Sequence, residues 1–200
     1  MIAYKGFTKD LRATLGRGRK YTPNELVVEE SSKCFRNGLH CAENPLDCFD
    51  YYKLSENNVF WLVEAGGSID EDGTDTKIAC TELKLIKELS VKELAGYAMT
   101  YIIKHPLRDW QRNNSSCAVL PDKAVGSRWK IAIARGEHPK VKGTTGAALG
   151  MIREENGIIT AARLIEIDGV KYHPNRWYTI NAEGAVVQED VRKEKEATEE

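Results

Sequence analysis

The stretch Gly38–Tyr52, GLHCAENPLDCFDYY, predicts a short strand that runs directly into a capped helix. Asn44 is a favoured N-cap residue, and Pro45 fits the first helical position because its missing N–H needs no partner there. Asp47 would lie beside the positive end of the helix dipole. Because anionic ligands often bind where a strand meets a helix, His40 at this junction is a candidate site residue.

The overall composition is that of an ordinary globular protein. The 200 residues are 42% hydrophobic and 30% charged, which suffices for the core of one or two domains. The formal net charge is −1, so the bulk charge of the chain would not attract nucleic acid, and we do not expect a nucleic-acid partner. The N-terminal segment is too polar for a signal peptide, and no apolar run could span a membrane, so we expect a cytoplasmic protein with no membrane partner.

Five cysteines are spaced too widely for a structural zinc site, whose ligands usually come in pairs two to four residues apart. Cys34, Cys41 and Cys48 are seven residues apart and form no pair of that spacing. We therefore expect reduced, buried thiols and no bound metal.

The first half of the chain predicts a mixed sheet with two helices over residues 1–112. Strands are expected over 2–7, 35–41, 59–63 and 77–89, the first helix over 45–52, and a solvated acidic turn over 68–75. The clearer helix begins at Ser90, which forms a capping box with Glu93 and precedes an apolar face that ends before Pro106.

The second half predicts a β-rich domain over residues 113–190, after the polar segment 111–116, and a disordered charged tail over 191–200. Glycines at 126, 136, 143 and 150 predict short β-roll-like coils of parallel structure, with an irregular meander as the alternative. Hairpins are expected at Asp168-Gly169, leading into a strand over 170–172, and between 177–180 and 185–187. The whole chain is thus predicted to be α+β.

Three segments of the first half resemble the core of ADP-ribosyltransferases. They are Tyr4-Lys5-Gly6 on the opening strand, Gly38–Tyr52 before and within a helix, and FWLVEAG at residues 60–66. This resemblance implies an NAD-using fold in which a later strand delivers a glutamate that orients the ribose hydroxyl. Glu82 matches that position, whereas Tyr4-Lys5 replaces the family's His or Arg and His40 replaces its Tyr.

The candidate site residues follow from this order of elements and from the arginine-rich loop GRGRK at residues 16–20. The catalytic candidates are Lys5, His40 and Glu82. Arginines clamp phosphate groups well, so the loop is a candidate anion site, although a solvated loop is the alternative. The ligand-binding candidates are Tyr4, Arg17, Arg19, Asn44 and Tyr52. NAD is expected as a cofactor only if the chain is an enzyme.

A second resemblance covers nearly the whole chain and involves a group of small phage and prophage proteins of unknown function. The segments AYKGF, GLHCAENPLDCFDYY, VEAGGSIDEDGTDTKIA and DGVKYHPNRWYTI carry it. The middle of the chain, residues 118–150, is also similar to the repeats of β-roll adhesin heads. The resemblance implies a viral or prophage origin, an accessory role and a place in the host cytoplasm, without a mechanism.

Three functions follow from these observations. The first is an accessory protein that binds a host protein or a small nucleotide-like ligand, with antagonism of a host defence as its role. The second is an ADP-ribosyltransferase-like enzyme, which requires His40 and Glu82 to converge on one cleft. The third is a virion or assembly component, which would form a homo-oligomer through its β edges. We favour the non-enzymatic binder.

Overall fold

The computed structural model describes residues 1–14, 18–71, 73 and 75–189. The chain forms two compact units, one of residues 1–108 with 115–117 and the other of residues 109–114 with 118 onward. Each unit contains one sheet, and both helices of the described residues belong to the first, so the predicted α+β class is confirmed. The predicted tail, 191–200, and the candidate Arg17 lie outside the described residues.

The first unit contains five strands and two helices within the described residues. They are β1 (Ile2–Thr8), β2 (Leu26–Val28), β3 (Leu39–Ala42), a 3₁₀ helix (Pro45–Asp50), β4 (Asn58–Glu71), β5 (Lys77–Leu89) and α1 (Val91–Lys104). The predicted strand 77–89 matches β5, and the capping box at Ser90 and Glu93 is present at the start of α1.

The sheet of the first unit closes on itself because β5 pairs along both of its edges. Its strand order is β2-β5-β3-β1-β4, and β5 also pairs with β4. Ile78 shows this directly, since it lies opposite Cys41 of β3 and opposite Glu71 of β4. β1 pairs with β4 along its whole length but with β3 only where Tyr4 meets Ala42. The ring of four strands is therefore open between β1 and β3.

Apolar side chains fill the interior of this ring, among them Phe7, Leu39, Trp61, Val63, Ile78, Leu83 and Leu85. Side chains alternate between the two faces of a strand, so Lys5 shares a face with Ala3 and Phe7. Both of those neighbours belong to the buried cluster. The register of β1 thus places a lysine inside an apolar interior, next to the opening between β1 and β3.

The capped helix is confirmed as a single 3₁₀ segment that ends at Asp50, two residues earlier than expected. The Asn44 side chain accepts a hydrogen bond from the Leu46 N–H at 3.1 Å, as an N-cap does. Asp47 lies in the first turn of this helix, as predicted. It is 2% exposed and accepts hydrogen bonds from the N–H (3.2 Å) and hydroxyl (2.6 Å) of Thr76, which anchors the start of β5.

Two strand predictions in this unit need correction. The second strand begins at Leu39 rather than at residue 35, because Phe35 and Gly38 have φ angles of 64° and 90°, which extended backbone does not adopt. The acidic segment 68–75 is not wholly a turn. β4 continues to Glu71, because the residues from Ile69 to Glu71 pair with β5.

The second unit is a sheet of seven strands in the described residues. They are β6 (Arg112–Asn113), β7 (Cys117–Gly126), β8 (Ile131–Gly143), β9 (Ala148–Glu155), β10 (Ile158–Glu166), β11 (Tyr178–Ile180) and β12 (Val186–Gln188). The order is β10-β9-β8-β11-β12, with β7 paired to β8 and β6. β8 and β9 pair in parallel, and the predicted hairpin of β11 and β12 is confirmed.

Long strands replace the short coils that the glycine spacing predicted. β7, β8 and β9 have 10, 13 and 8 residues, and Gly136 and Gly150 lie inside strands. Gly126 and Gly143 allow close packing instead. A Cβ on Gly126 would lie 2.8 Å from the side chain of Leu149, and one on Gly143 would lie 3.3 Å from the Gly126 carbonyl oxygen. These two glycines therefore serve close packing within the sheet.

The predicted strand over 170–172 is also wrong. The carboxylate of Asp168 accepts hydrogen bonds from the N–H groups of Val170, Lys171 and Tyr172, at 2.8, 2.8 and 3.0 Å. In a strand these N–H groups would bond to a neighbouring strand. Because they all donate to one carboxylate instead, the backbone forms a compact loop.

Replacing the capping serine by alanine, Ser90→Ala, should destabilise the first unit by about 1 kcal/mol. The serine hydroxyl accepts from the Glu93 N–H, and this donor would lose its partner at the start of α1. Urea unfolding followed by circular dichroism measures the change, with Ser68→Ala at an exposed position as the control. Equal stability of both variants would contradict the capping role.

Candidate functional site

A cavity of about 700 Å³ lies in the first unit at the opening between β1 and β3. Its lining combines aromatic rings with cationic side chains: Tyr4, Tyr21, Phe35, Tyr51 and Tyr52 with Lys5, Arg19, Arg36 and Lys77. Two carboxylates also line it, those of Glu29 and Asp47. Both are engaged, since Glu29 pairs with Arg19 and Asp47 binds Thr76. The cavity therefore offers more positive charge than its carboxylates neutralise.

Lys5 is the most unusual group in this cavity. It is 7% exposed, and its Nζ donates a hydrogen bond to the His40 carbonyl oxygen. The ammonium lies 5.4 Å from the ring centre of Phe7 and 5.6 Å from that of Tyr21. Within the described residues it forms no ion pair with a carboxylate, and burial lowers its pKa. An ammonium has three N–H donors, so Lys5 can still donate to a ligand.

Lys77, the second buried cation, is held between aromatic rings at the edge of the cavity. It is 6% exposed, and its Nζ lies 2.6 Å from the Tyr51 hydroxyl and 3.7 Å from the Asp75 carboxylate. The ring centre of Phe35 is 3.2 Å from the same Nζ. Phe35 is 63% exposed with φ at 64°, a backbone conformation that non-glycine residues adopt at a cost. This backbone conformation thus holds an exposed ring over a buried ammonium.

His40 lines the cavity, but its ring is already engaged. The Nε2 atom accepts a hydrogen bond from the Phe35 N–H at 3.2 Å. Burial lowers the pKa of the imidazole, and the nearby charges of Lys5 and Lys77 lower it further. The ring therefore stays neutral near pH 7 and has its acceptor nitrogen occupied. This arrangement positions the Phe35 loop and does not present a free general base.

Three ligand-binding candidates also meet in the cavity: Tyr4, Arg19 and Tyr52. Burial raises the pKa of Tyr4 to about 12, so its phenol stays protonated, and its ring centre lies 5.3 Å from that of Tyr97 on α1. The Tyr52 hydroxyl accepts from the Thr14 N–H at 2.8 Å. The Arg19 guanidinium is paired with Glu29. Sequence reasoning thus identified five lining residues, namely these three with Lys5 and His40.

Two candidates lie outside the cavity lining. Asn44 is buried and its side chain caps the 3₁₀ helix, so its role is structural. Glu82 is exposed on β5, opposite Val28 of β2 and Gly66 of β4. The structure therefore does not bring Glu82 together with His40 and Lys5.

Sequence reasoning missed Lys77, Phe35, Tyr21 and Tyr51. No local motif marks them, because the contacts that gather them join segments far apart in the chain. One signal was present in the sequence. Lys5 alternates with Ala3 and Phe7, which places a lysine on the apolar face of its strand.

The five cysteines are free and buried, which confirms the expectation of reduced, buried thiols. Two of them, Cys41 and Cys48, line the cavity. Burial raises the pKa of the Cys48 thiol to about 12, which keeps it protonated. In the part of the chain that the structure describes, no three metal-binding side chains come together.

Stability should fall on acidification partly because of His40. The unfolded histidine takes up a proton as the pH drops through about 6.5, whereas the lowered pKa of the folded residue delays that uptake. His40→Gln keeps an acceptor for the Phe35 amide and removes the titration. The variant should lose less unfolding free energy than the wild type between pH 7 and pH 5.5 in urea titrations. An identical loss in both proteins would contradict the buried, neutral imidazole.

Residues 1–96 match a family model that is described as a domain of unknown function, DUF7666. This segment includes β1 to β5 and every residue that lines the cavity. Searches of curated proteins and of solved structures returned no match to the chain. Among the described residues, no helix is long and apolar enough to cross a membrane. The candidate site thus lies wholly within the part of the chain that the family model covers.

Proposed function

We propose that the first unit captures a small nucleotide-like anion in the cavity between β1 and β3. The observation that carries this proposal is Lys5, a buried ammonium at the cavity wall with one hydrogen-bond acceptor and no carboxylate partner among the described residues. Removing a charge from water is costly unless an opposite charge compensates it. A phosphate bound beside Lys5 would supply that compensation.

The aromatic lining supports a ligand that carries a ring as well as a negative charge. Phe35, Lys77 and Tyr51 form a stack in which the ammonium lies 3.2 Å from one ring centre and 5.0 Å from the other. Exposed Phe35 leaves one ring face open at the cavity edge. A nucleobase can pack against such a face, and the cation next to it adds electrostatic attraction. The cavity of about 700 Å³ is in the range of small-molecule sites.

Capture without turnover fits the site better than catalysis. The imidazole of His40 has its acceptor nitrogen occupied, Tyr4 stays protonated, and Glu82 lies elsewhere on β5. The ADP-ribosyltransferase-like alternative needs a carboxylate that reaches the ribose, and the two carboxylates in the lining are engaged by Arg19 and Thr76. NAD belongs in the test nonetheless, because it carries the same chemical groups.

We further propose that this capture serves a phage-type accessory role in the host cytoplasm, by withholding a signalling nucleotide from a host defence. The support for this role is the resemblance of the chain to small phage and prophage proteins. A binder that acts by sequestration needs affinity and no catalytic group, which matches the lining of the cavity. A virion or assembly component is the other role that the resemblance implies.

Isothermal titration and thermal shift against NAD, ADP-ribose, mononucleotides, cyclic nucleotides and inorganic phosphate test the proposal. A ligand at about 100 times its Kd should stabilise the fold by about 2.7 kcal/mol, which is easily measured. Lys5→Met removes the charge but keeps an unbranched apolar stem, so the variant should fold and lose the response. Lys9→Gln, an exposed lysine outside the cavity lining, is the matched control and should keep it.

Each outcome separates the hypotheses. A response to nucleotides that Lys5→Met abolishes and Lys9→Gln retains supports capture. Release of nicotinamide from NAD would favour the enzyme instead. No response to any member of the panel would contradict a nucleotide site, and gel filtration that shows a stable homo-oligomer would then favour the virion component.

A further inference from the structure

Three turns of the second unit lie close together. They comprise residues 127–130, 142–147 and 167–177, which we call the turn face. The Gly146 N–H donates to the Ile167 carbonyl, and the Asn175 N–H donates to the Gly143 carbonyl, both at 2.8 Å. A Cβ on Gly146 would lie 3.4 Å from the Cγ of Arg128. These contacts join all three turns within a single unit.

The turn face is strongly basic although the chain as a whole is nearly neutral. Its segments contain five lysines and arginines and one carboxylate. That carboxylate, Asp168, accepts three backbone N–H groups within its own loop. Glu189, whose N–H donates to the Trp177 carbonyl beside this face, is ion-paired with Lys140. The acidic groups of the turn face therefore neutralise little of its positive charge.

Each turn also contributes a cation that lies near an aromatic ring. Arg128 lies 5.0 Å from the ring centre of Trp129, Lys142 lies 4.8 Å from that of Trp177, and Lys171 lies 5.2 Å from that of Tyr172. Trp129 is 36% exposed, and Arg128, Lys171 and Arg176 are exposed. The Trp129 indole and these three cations are therefore accessible from solvent, whereas Tyr172 and Trp177 are partly buried.

We propose that the turn face binds single-stranded nucleic acid. Proteins that hold single strands combine cations that follow the phosphate backbone with aromatic rings on which unpaired bases stack. The turn face presents both groups, with cations from all three turns and rings from the turns over 127–130 and 167–177. A duplex would expose its phosphates but not its base faces, so the rings favour a single strand.

This site is independent of the nucleotide cavity because it lies in the other unit and uses different residues. It also differs from the expectation that nucleic acid is an unlikely partner. That expectation rested on the net charge of −1, in which the positive charge of the turn face is offset by the negative charge of the rest of the chain. Phosphates respond to local charge, since a Debye length is about 8 Å at physiological salt.

Fluorescence anisotropy with labelled oligo-dT and oligo-U of about 10 nucleotides, within the range of single-strand sites, tests this proposal. Arg128→Gln with Arg176→Gln removes two exposed cations of the turn face. Lys123→Gln with Arg163→Gln removes two exposed cations elsewhere in the same unit. The first pair should weaken binding and lower the slope of log K against log salt by about 1.4, since each lost phosphate contact contributes about 0.7. The control pair should change neither.

Stacking has its own test. Trp129→Leu keeps an apolar side chain of moderate size at a half-exposed position and removes the ring. It should weaken oligonucleotide binding by about five-fold or more without changing the salt slope. Circular dichroism checks that each variant is folded.

Three results would overturn the proposal: no binding at low salt, equal weakening by both pairs of variants, or binding of an acidic peptide or heparin as tight as that of the oligonucleotides. Tighter binding of duplex DNA than of oligo-dT would overturn its single-strand part.

Discussion

The pairing of β5 along both of its edges is the constraint on which the first unit depends. Because β5 pairs with β3 and with β4, the sheet must curl into a ring, and its interior must be filled. β1 pairs with β4 along its whole length, but with β3 only where Tyr4 meets Ala42. The closure therefore buries the apolar face of β1 and leaves a gap at one side of it. Core and cavity arise from the same topology.

Lys5 is the charged group that this geometry places at the cavity. The β1 register that buries Ala3 and Phe7 buries Lys5 between them, and the ammonium reaches the His40 carbonyl oxygen across the gap. Burial lowers the pKa of Lys5, which is the expected sign when water is removed from a cation without a carboxylate partner. An anionic ligand would reverse that effect. Lys77 and the rings around it line the same cavity, so the cavity contains both cationic groups and aromatic rings.

Local signals predicted local structure well, as the Ser90 capping box and strand 77–89 show. Asn44 and Pro45 likewise predicted the start of the 3₁₀ helix. The sequence did not reveal interactions between distant segments. Asp47 lies in the first turn as predicted, but its hydrogen bonds to Thr76 and the packing of Gly143 near Gly126 were not predicted. Four lining residues of the cavity could be predicted from element order and Arg19 from the arginine-rich loop, but Lys77 and Phe35 meet only through the fold.

The pKa of Lys5 in solution, with and without a nucleotide, tests the central claim most directly. Lysine-selective ¹³C labelling and an NMR titration would follow its Cε signal, assigned by its loss in Lys5→Met. The account predicts a pKa below the ordinary value of about 10.4 in the free protein, and a rise when a nucleotide saturates the cavity. An ordinary pKa in the free protein, or a lowered one that no member of the nucleotide panel changes, would contradict it.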